Sequence, residues 1–256
     1  MDALVLKLTI TPALIAIATL VGRRFGPIVS GWLVGLPLTS APVIFFVALE
    51  HGNHFAAQVA IGVLLGTIAQ SVCILGYAYV AARDSRYDWL RPLLVGVVAF
   101  AFAALGLRFV SLALVPAFVL ALIVVSLTLF VMPRVHAVQV RAGDPSIWDL
   151  PARMIVATVL VIALTALSGA MGPRWTGLVS PFPIYGTILA VFAHRESGGT
   201  AAAEVMRGLE AGMYAFSVFF VILGFLIERA GVAAAFASAT AATLVVQLVA
   251  LWALKR

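Results

Sequence analysis

The chain has 256 residues, 64% of them hydrophobic and 10% charged, with a formal net charge of +6 and a mean hydropathy of +1.16. So little polar surface excludes a water-solvated globular enzyme or nucleic-acid-binding module and puts most of the chain in lipid. The apolar runs are continuous rather than alternating, so the expectation is an all-α polytopic membrane protein and not an outer-membrane barrel.

Stretches near the ~20 residues needed to cross a bilayer fall at 2–22, 27–49, 55–82, 89–107, 109–132, 149–171, 174–194, 200–228 and 231–254, nine in all. The first carries Lys7 and lacks a small-residue cleavage site near its end, which reads as a retained helix rather than a signal peptide. The second, "GWLVGLPLTSAPVIFFVALEHG", is interrupted by Gly35, Pro37 and Pro42, with Thr39 and Ser40 among them. A proline removes one N–H and frees a carbonyl one turn back, which lipid does not tolerate unless protein or a wet cavity covers it. The third has a glycine face at Gly62 and Gly66 for close backbone approach. It also holds Cys73, and a lone cysteine supports neither a disulfide framework nor a thiol metal cluster. The fourth and fifth meet at a tight turn around Leu107–Arg108, and the polar segment 133–148 follows. The sixth opens with Arg153, and the seventh is broken at "SPFPIYG", where Ser180, Pro181, Pro183 and Tyr185 stand. The eighth carries Glu204, Arg207 and Glu210, near His194 and Arg195, and a short gap at Gly231 separates it from the ninth. Trp32, Trp89, Trp148, Trp175 and Trp252 fall near span ends, as interfacial anchors do.

Alternating the spans puts Arg23, Arg24, Arg83, Arg86, Arg91, Arg134, Arg141, Arg153, Arg195, Arg207, Lys255 and Arg256 on one side. Only Lys7, Arg108, Arg174 and Arg229 fall on the other. By the positive-inside rule the twelve face the cytoplasm, which leaves the N-terminus outside and the C-terminus inside. The net positive charge is then a topology signal and not a nucleic-acid-binding face.

The chain also repeats itself. Shifted by 146 residues, residues 26–72 match 172–218 at 15 of 47 positions without a gap, where about four are expected by chance for so biased a composition. Gly26, Pro27, Gly31, Pro37, Glu50 and Gly52 fall on Gly172, Pro173, Gly177, Pro183, Glu196 and Gly198, and Lys7 falls on Arg153. The expected organisation is a four-helix unit at 1–108, an inverting helix and cytoplasmic loop at 109–148, and a second four-helix unit at 149–256. Matching helices are five apart, an odd number, so the second unit lies upside down. Inverted repeats of this kind build many secondary transporters.

Two constellations follow. An inverted two-fold axis brings the breaks at "GLPLTSAP" and "SPFPIYG" together at the midplane, where freed backbone groups with Pro37, Thr39, Ser40, Pro42, Ser180, Pro181, Pro183 and Tyr185 can bind a substrate. The alternative for the same residues is a pair of packing kinks. The second constellation is charged: Lys7 with Glu50 at the outer level, and Arg153 with Glu196 at the cytoplasmic level, are either structural ion pairs or gates. Arg207 and Glu210 extend the cytoplasmic copy as an ion-coupling site or a solvated helix end. Glu204 reads as the solvated end, whereas Glu210 falls level with Leu64, well inside the third helix.

No GxxxxGK[ST], HExxH or GxSxG motif occurs, so no catalytic activity, metal or cofactor is expected. The run "GLVSPFPIYGTILAVFAHRESG" resembles the signature of the small GlpM-type bacterial inner-membrane proteins, matching it at Gly177, Leu178, Phe182, Pro183, Glu196 and Gly198. The first unit matches at Gly31, Pro37, Glu50 and Gly52. The resemblance implies two fused GlpM-like units in a bacterial inner membrane, and it leaves activity open. The expected function is secondary transport by alternating access, with membrane lipid and a small solute or ion as partners and no nucleic acid. An ion channel of fused dual-topology type and a non-transporting accessory membrane protein are the alternatives.

The charge partition sets a test. A reporter active only in the cytoplasm should work when fused after Arg256 or within 134–147, and fail near Asn53 or Gly231; the opposite pattern overturns the nine-span topology.

Overall fold

The computed structural model describes the backbone at residues 9, 12–13, 16–17, 20, 24–25, 27–37, 40–83, 88–134, 150–152, 154–156, 158–159 and 172–254. The expected spans at 2–22 and 149–171 fall largely outside these residues, and their described positions are helical. The elements are α1 (Pro27–Val34), α2 (Ser40–His51), α3 (Asn53–Ala81), α4 (Leu90–Leu107), α5 (Leu114–Val131), α6 (Gly172–Val179), α7 (Ile184–Ser197) and α8 (Gly199–Leu254). No strand occurs among the described residues. Five helical runs among them, Asn53–Ala81, Leu90–Leu107, Leu114–Val131, Gly172–Ser197 and Gly199–Val249, are long and apolar enough to cross a bilayer. The chain is an all-α membrane protein.

Both interrupted spans, the second and the seventh, are two helices each. α1 stops at Val34 and α2 starts at Ser40; α6 stops at Val179 and α7 starts at Ile184. In the first break the chain tightens into three-residue turns, with Gly35 N–H donating to Trp32 O at 3.1 Å and Leu36 N–H to Leu33 O at 3.3 Å. In the second, Phe182 N–H donates to Val179 O at 2.9 Å. Pro42 lies in the first turn of α2, where a missing N–H costs no helical bond, so it continues the helix instead of breaking it.

Each second half turns into a long helix through a single glycine of positive φ: Gly52 (φ 86°) between α2 and α3, and Gly198 (φ 92°) between α7 and α8. Side chains with a Cβ rarely adopt that conformation. The expected gap around Gly231 is the same device, a single residue at φ 77° inside α8. The second arm folds back there, since Thr243 Oγ1 donates across to Ala215 O at 3.4 Å as well as to Ala239 O on its own helix at 2.7 Å.

α3 and the first arm of α8 form the centre. They pack on each other, and each also takes a half-helix from the distant part of the chain: α6 lies on α3, and α1 lies on α8. Glycines set the separation. A Cβ on Gly62 would stand 2.9 Å from Gly177 Cα, and one on Gly66 would stand 2.6 Å from Leu178 O and 2.8 Å from the Pro181 ring. On the other side, a Cβ on Gly212 would stand 2.6 Å from Gly35 Cα and 3.0 Å from Trp32 O. Residues 66, 178 and 181 map onto 212, 32 and 35 in the 146-residue register. α4 and α5 lie outside, presenting stripes to lipid at Leu94, Val98 and Phe102, and at Val115, Val119, Ile123 and Leu127.

Three sequence expectations need correction. The fifth span begins at Leu114 and not at 109, because the link before it is held extended by Arg174, whose guanidinium donates to Val110 O and to Ser111 Oγ. Trp32 is no interfacial anchor. It ends a half-helix, so its helix end lies inside the protein, where its indole donates to Gln247 O at 3.2 Å and Gln247 Nε2 donates to Trp32 O at 2.7 Å. Glu204 is not a solvated helix end either: it is 7% exposed, because the hinge at Gly198 folds α7 back along the start of α8.

The helix ends sort consistently. At one end His54 Nδ1 lies 2.7 Å from Glu228 Oε1, and Arg108 stacks on Trp175 at 5.4 Å. At the other, Arg195 stacks on Trp89 at 5.9 Å and Arg207 donates to Leu129 O at 3.3 Å.

Gly177→Ala forces a Cβ to within 2.6 Å of Gly62 Cα and Val59 O, so it should cost about 1–3 kcal/mol of stability. Gly106→Ala meets nothing within 4 Å and should leave the thermal midpoint in detergent unchanged or raised. Equal midpoints for the two variants would contradict this packing.

Candidate functional site

The crossed packing carries both breaks to one place. Val34, Leu36 and Ser40 from the first break face Pro181, Phe182, Pro183, Ile184, Tyr185 and Gly186 from the second across a cavity of about 20 Å³. Gln70 of α3 and Leu209, Met213 and Phe216 of α8 complete the wall. The space suits a single water molecule or a small desolvated ion. The two breaks are joined directly, with Ser40 Oγ donating to Ser180 O at 3.0 Å. This bond satisfies a carbonyl released where α6 ends, and where α1 ends Gln247 adds a second bond to Trp32 O, which Gly35 N–H also reaches.

Most of the lining residues are apolar, but polar atoms make up a large share of the cavity wall. Gln70 Oε1 is buried with no hydrogen-bond partner, as is Ser180 Oγ beside Pro181. The Gln70 amide, the Ser40 hydroxyl and the backbone of the second break put polar groups among apolar side chains, a wall that can hold a small polar solute or a cation but offers no nucleophile–base pair for catalysis.

Of the residues singled out in the breaks, Ser40, Pro181, Pro183 and Tyr185 line the cavity. Pro37 is buried between the lining residues Leu36 and Ser40. Thr39 and the side chain of Pro42 lie outside the described residues. Among the charged candidates, Lys7, Arg153 and the side chain of Glu50 also lie outside them, and Glu196 is exposed at the end of α7. Arg207 is half-buried and caps the C-terminus of α5 through Leu129 O, a favourable place for a cation on a helix. Glu210 is fully buried, and neither of its carboxylate oxygens has a hydrogen bond of ordinary geometry, although the Ser71 hydroxyl stands beside it.

Gln70 escaped the sequence reading because it lies in an unbroken helix, away from the prolines. The signal was present: it is an amide more than four turns into α3, beside Ser71, which the repeat matches with Ser217.

Ser40→Ala should leave Ser180 O unsatisfied and cost about 1 kcal/mol, read as a lower unfolding midpoint with membrane insertion intact. An unchanged midpoint would mean that the bridge between the breaks contributes nothing to stability. No protein-family model, characterised protein or solved structure matches this chain, so the geometry of the two breaks stands as the guide to what it does.

Proposed function

We propose that the protein is a secondary transporter of the bacterial inner membrane, moving a small polar solute or ion by alternating access through the site between the two broken spans. In this reading nine spans form two inverted four-helix units around an inverting helix, each unit GlpM-like, with the N-terminus outside and the C-terminus cytoplasmic.

The observation that carries the proposal is the meeting of the two breaks at one cavity, bridged from Ser40 to Ser180. Helix breaks persist in membranes where protein or a wet cavity covers the freed backbone, and in transporters alternating access works by rocking one unit against the other about a site lined by such breaks. The reciprocal glycine contacts in the 146-residue register, Gly66 on Leu178 and Pro181 and Gly212 on Trp32 and Gly35, support the two-fold arrangement. The grouping of Arg108, Arg174 and Arg229 away from Arg134, Arg195 and Arg207 supports the sidedness.

Pro37→Ala and Pro183→Ala test the reading, since each restores an N–H that can donate one turn back, to Leu33 O or Val179 O, and so splice a half-helix to its partner. Both variants should insert normally. Cysteines at Leu36 or Ile184 should be labelled by an impermeant maleimide from either face of the membrane in the parent protein, and about tenfold more slowly from at least one face in the proline variants. Labelling from neither face in the parent would put the accessory-protein reading ahead, and simultaneous labelling from both faces with gradient-insensitive flux would favour a channel.

A further inference from the structure

We propose that Glu210 is the proton-binding residue of the cycle, taking up and releasing one proton beside Ser71, each of the two being the chain neighbour of a residue that lines the cavity. The inference rests on the transport reading above and names its coupling ion.

The placement comes first. Glu210 lies 11 residues into α8, roughly 17 Å along at 1.5 Å per residue, and two residues before Gly212, whose backbone touches Gly35 in the first break. It therefore lies at the level of the breaks, deep in the bilayer. On each central helix the wall residue is followed by one member of the pair: Gln70 by Ser71 on α3, and Leu209 by Glu210 on α8. The carboxyl is fully buried, its two oxygens and the Ser71 hydroxyl have no ordinary hydrogen-bond partner, and Gln70 Oε1 shares that condition at the cavity.

The surroundings offer no counter-charge among the described residues. α1 and α5 carry no titratable side chain. α3 presents the buried Cys73 thiol within electrostatic reach of Glu210, and the Tyr77 phenol beyond it. The titratable groups of α7 are Tyr185 at the cavity and His194, Arg195 and Glu196 in its last turns. Arg207, less than one turn away on α8, gives its guanidinium to Leu129 O. A carboxylate in the bilayer interior must find a neutralising partner, and intramembrane acids are functional by that necessity. A metal cation would need about six oxygen ligands, whereas the polar neighbour found here is one hydroxyl. A proton needs a single carboxylate oxygen. In the 146-residue register Glu210 falls on Leu64, so the proton site exists once on a scaffold that is otherwise paired, which gives the two halves of the cycle different energies.

The test uses the full chain with Cys73→Ala, reconstituted in phosphatidylethanolamine–phosphatidylglycerol vesicles, with a single cysteine at Leu36 or Ile184 and the proton as probe. Infrared difference spectra across a pH titration should show a buried carboxylic-acid carbonyl band that is missing in Glu210→Gln. Maleimide labelling should switch sides with pH in the parent and lose that dependence in Glu210→Gln, which mimics the neutral acid. Ser71→Ala, which leaves the carboxyl in place, should keep the switch and move its midpoint by about one pH unit. Labelling that keeps the parental pH dependence in Glu210→Gln while the cavity still opens to both sides overturns the proton role alone. A cavity reached from neither side at any pH overturns the transport reading with it. Labelling that responds to sodium ions and not to pH replaces the proton with a metal cation.

Discussion

Four glycines allow helix backbones to touch where side chains would hold them apart, and the rest of the molecule is arranged around those contacts. Gly62 meets Gly177 and Gly212 meets Gly35, with any added Cβ closer than 3.0 Å to a backbone atom of the partner segment. In lipid there is no hydrophobic drive for helices to associate, so close van der Waals contact of this kind has to supply it. The contacts exchange partners between the two parts of the chain: the long helix of each part holds the half-helix of the other. That exchange draws the ends of α1 and α6 to the centre.

Broken helix ends inside a membrane carry a cost that must be met locally, because no water is there to accept the released bonds. The protein meets it with side chains borrowed from distant elements. Ser40 bonds Ser180 O, Gln247 bonds Trp32 O, and Arg174, nearer the membrane surface, bonds Val110 O. Some polar atoms remain unmatched around the same place, namely Gln70 Oε1, Ser180 Oγ, Ser71 Oγ and both oxygens of Glu210. Buried polar groups are otherwise almost always paired. These are the groups that the proposed site would use, whereas a packing kink needs its freed groups satisfied and nothing more.

The division between the two kinds of charge follows the same logic. Arg108, Arg195 and Arg229 sit at helix ends over aromatic rings, and His54 meets Glu228 at the surface, where ions keep part of their hydration. Arg207 reaches a helix C-terminus, whose free carbonyls and dipole welcome a cation. Glu210 has neither option, being on the middle of a helix that other helices cover.

How much could be read from residues alone depended on whether the signal was local. Long apolar runs declare membrane helices because bilayer thickness and backbone pairing leave no other choice, and Pro37 and Pro183 declare the interruptions because a missing N–H acts on its own chain. Gly62 and Gly66 announced close packing, without naming partners 111 residues or more away. Pro42, Trp32 and Glu204 were legible only as types: whether a proline ends a helix or begins one, and whether a tryptophan or a glutamate near a helix end meets water, turns on where that end lies in the fold. Gln70 and Glu210 gave the same kind of partial signal, polar residues in apolar helices whose importance appeared only once α3 and α8 crossed beside the breaks. Apolar periodicity and proline act through the nearest turn of backbone, so the chain itself decided the spans and their breaks. Which break faces which, and what polar atoms are trapped between them, is a property of helices far apart in the chain and was decided by their packing alone.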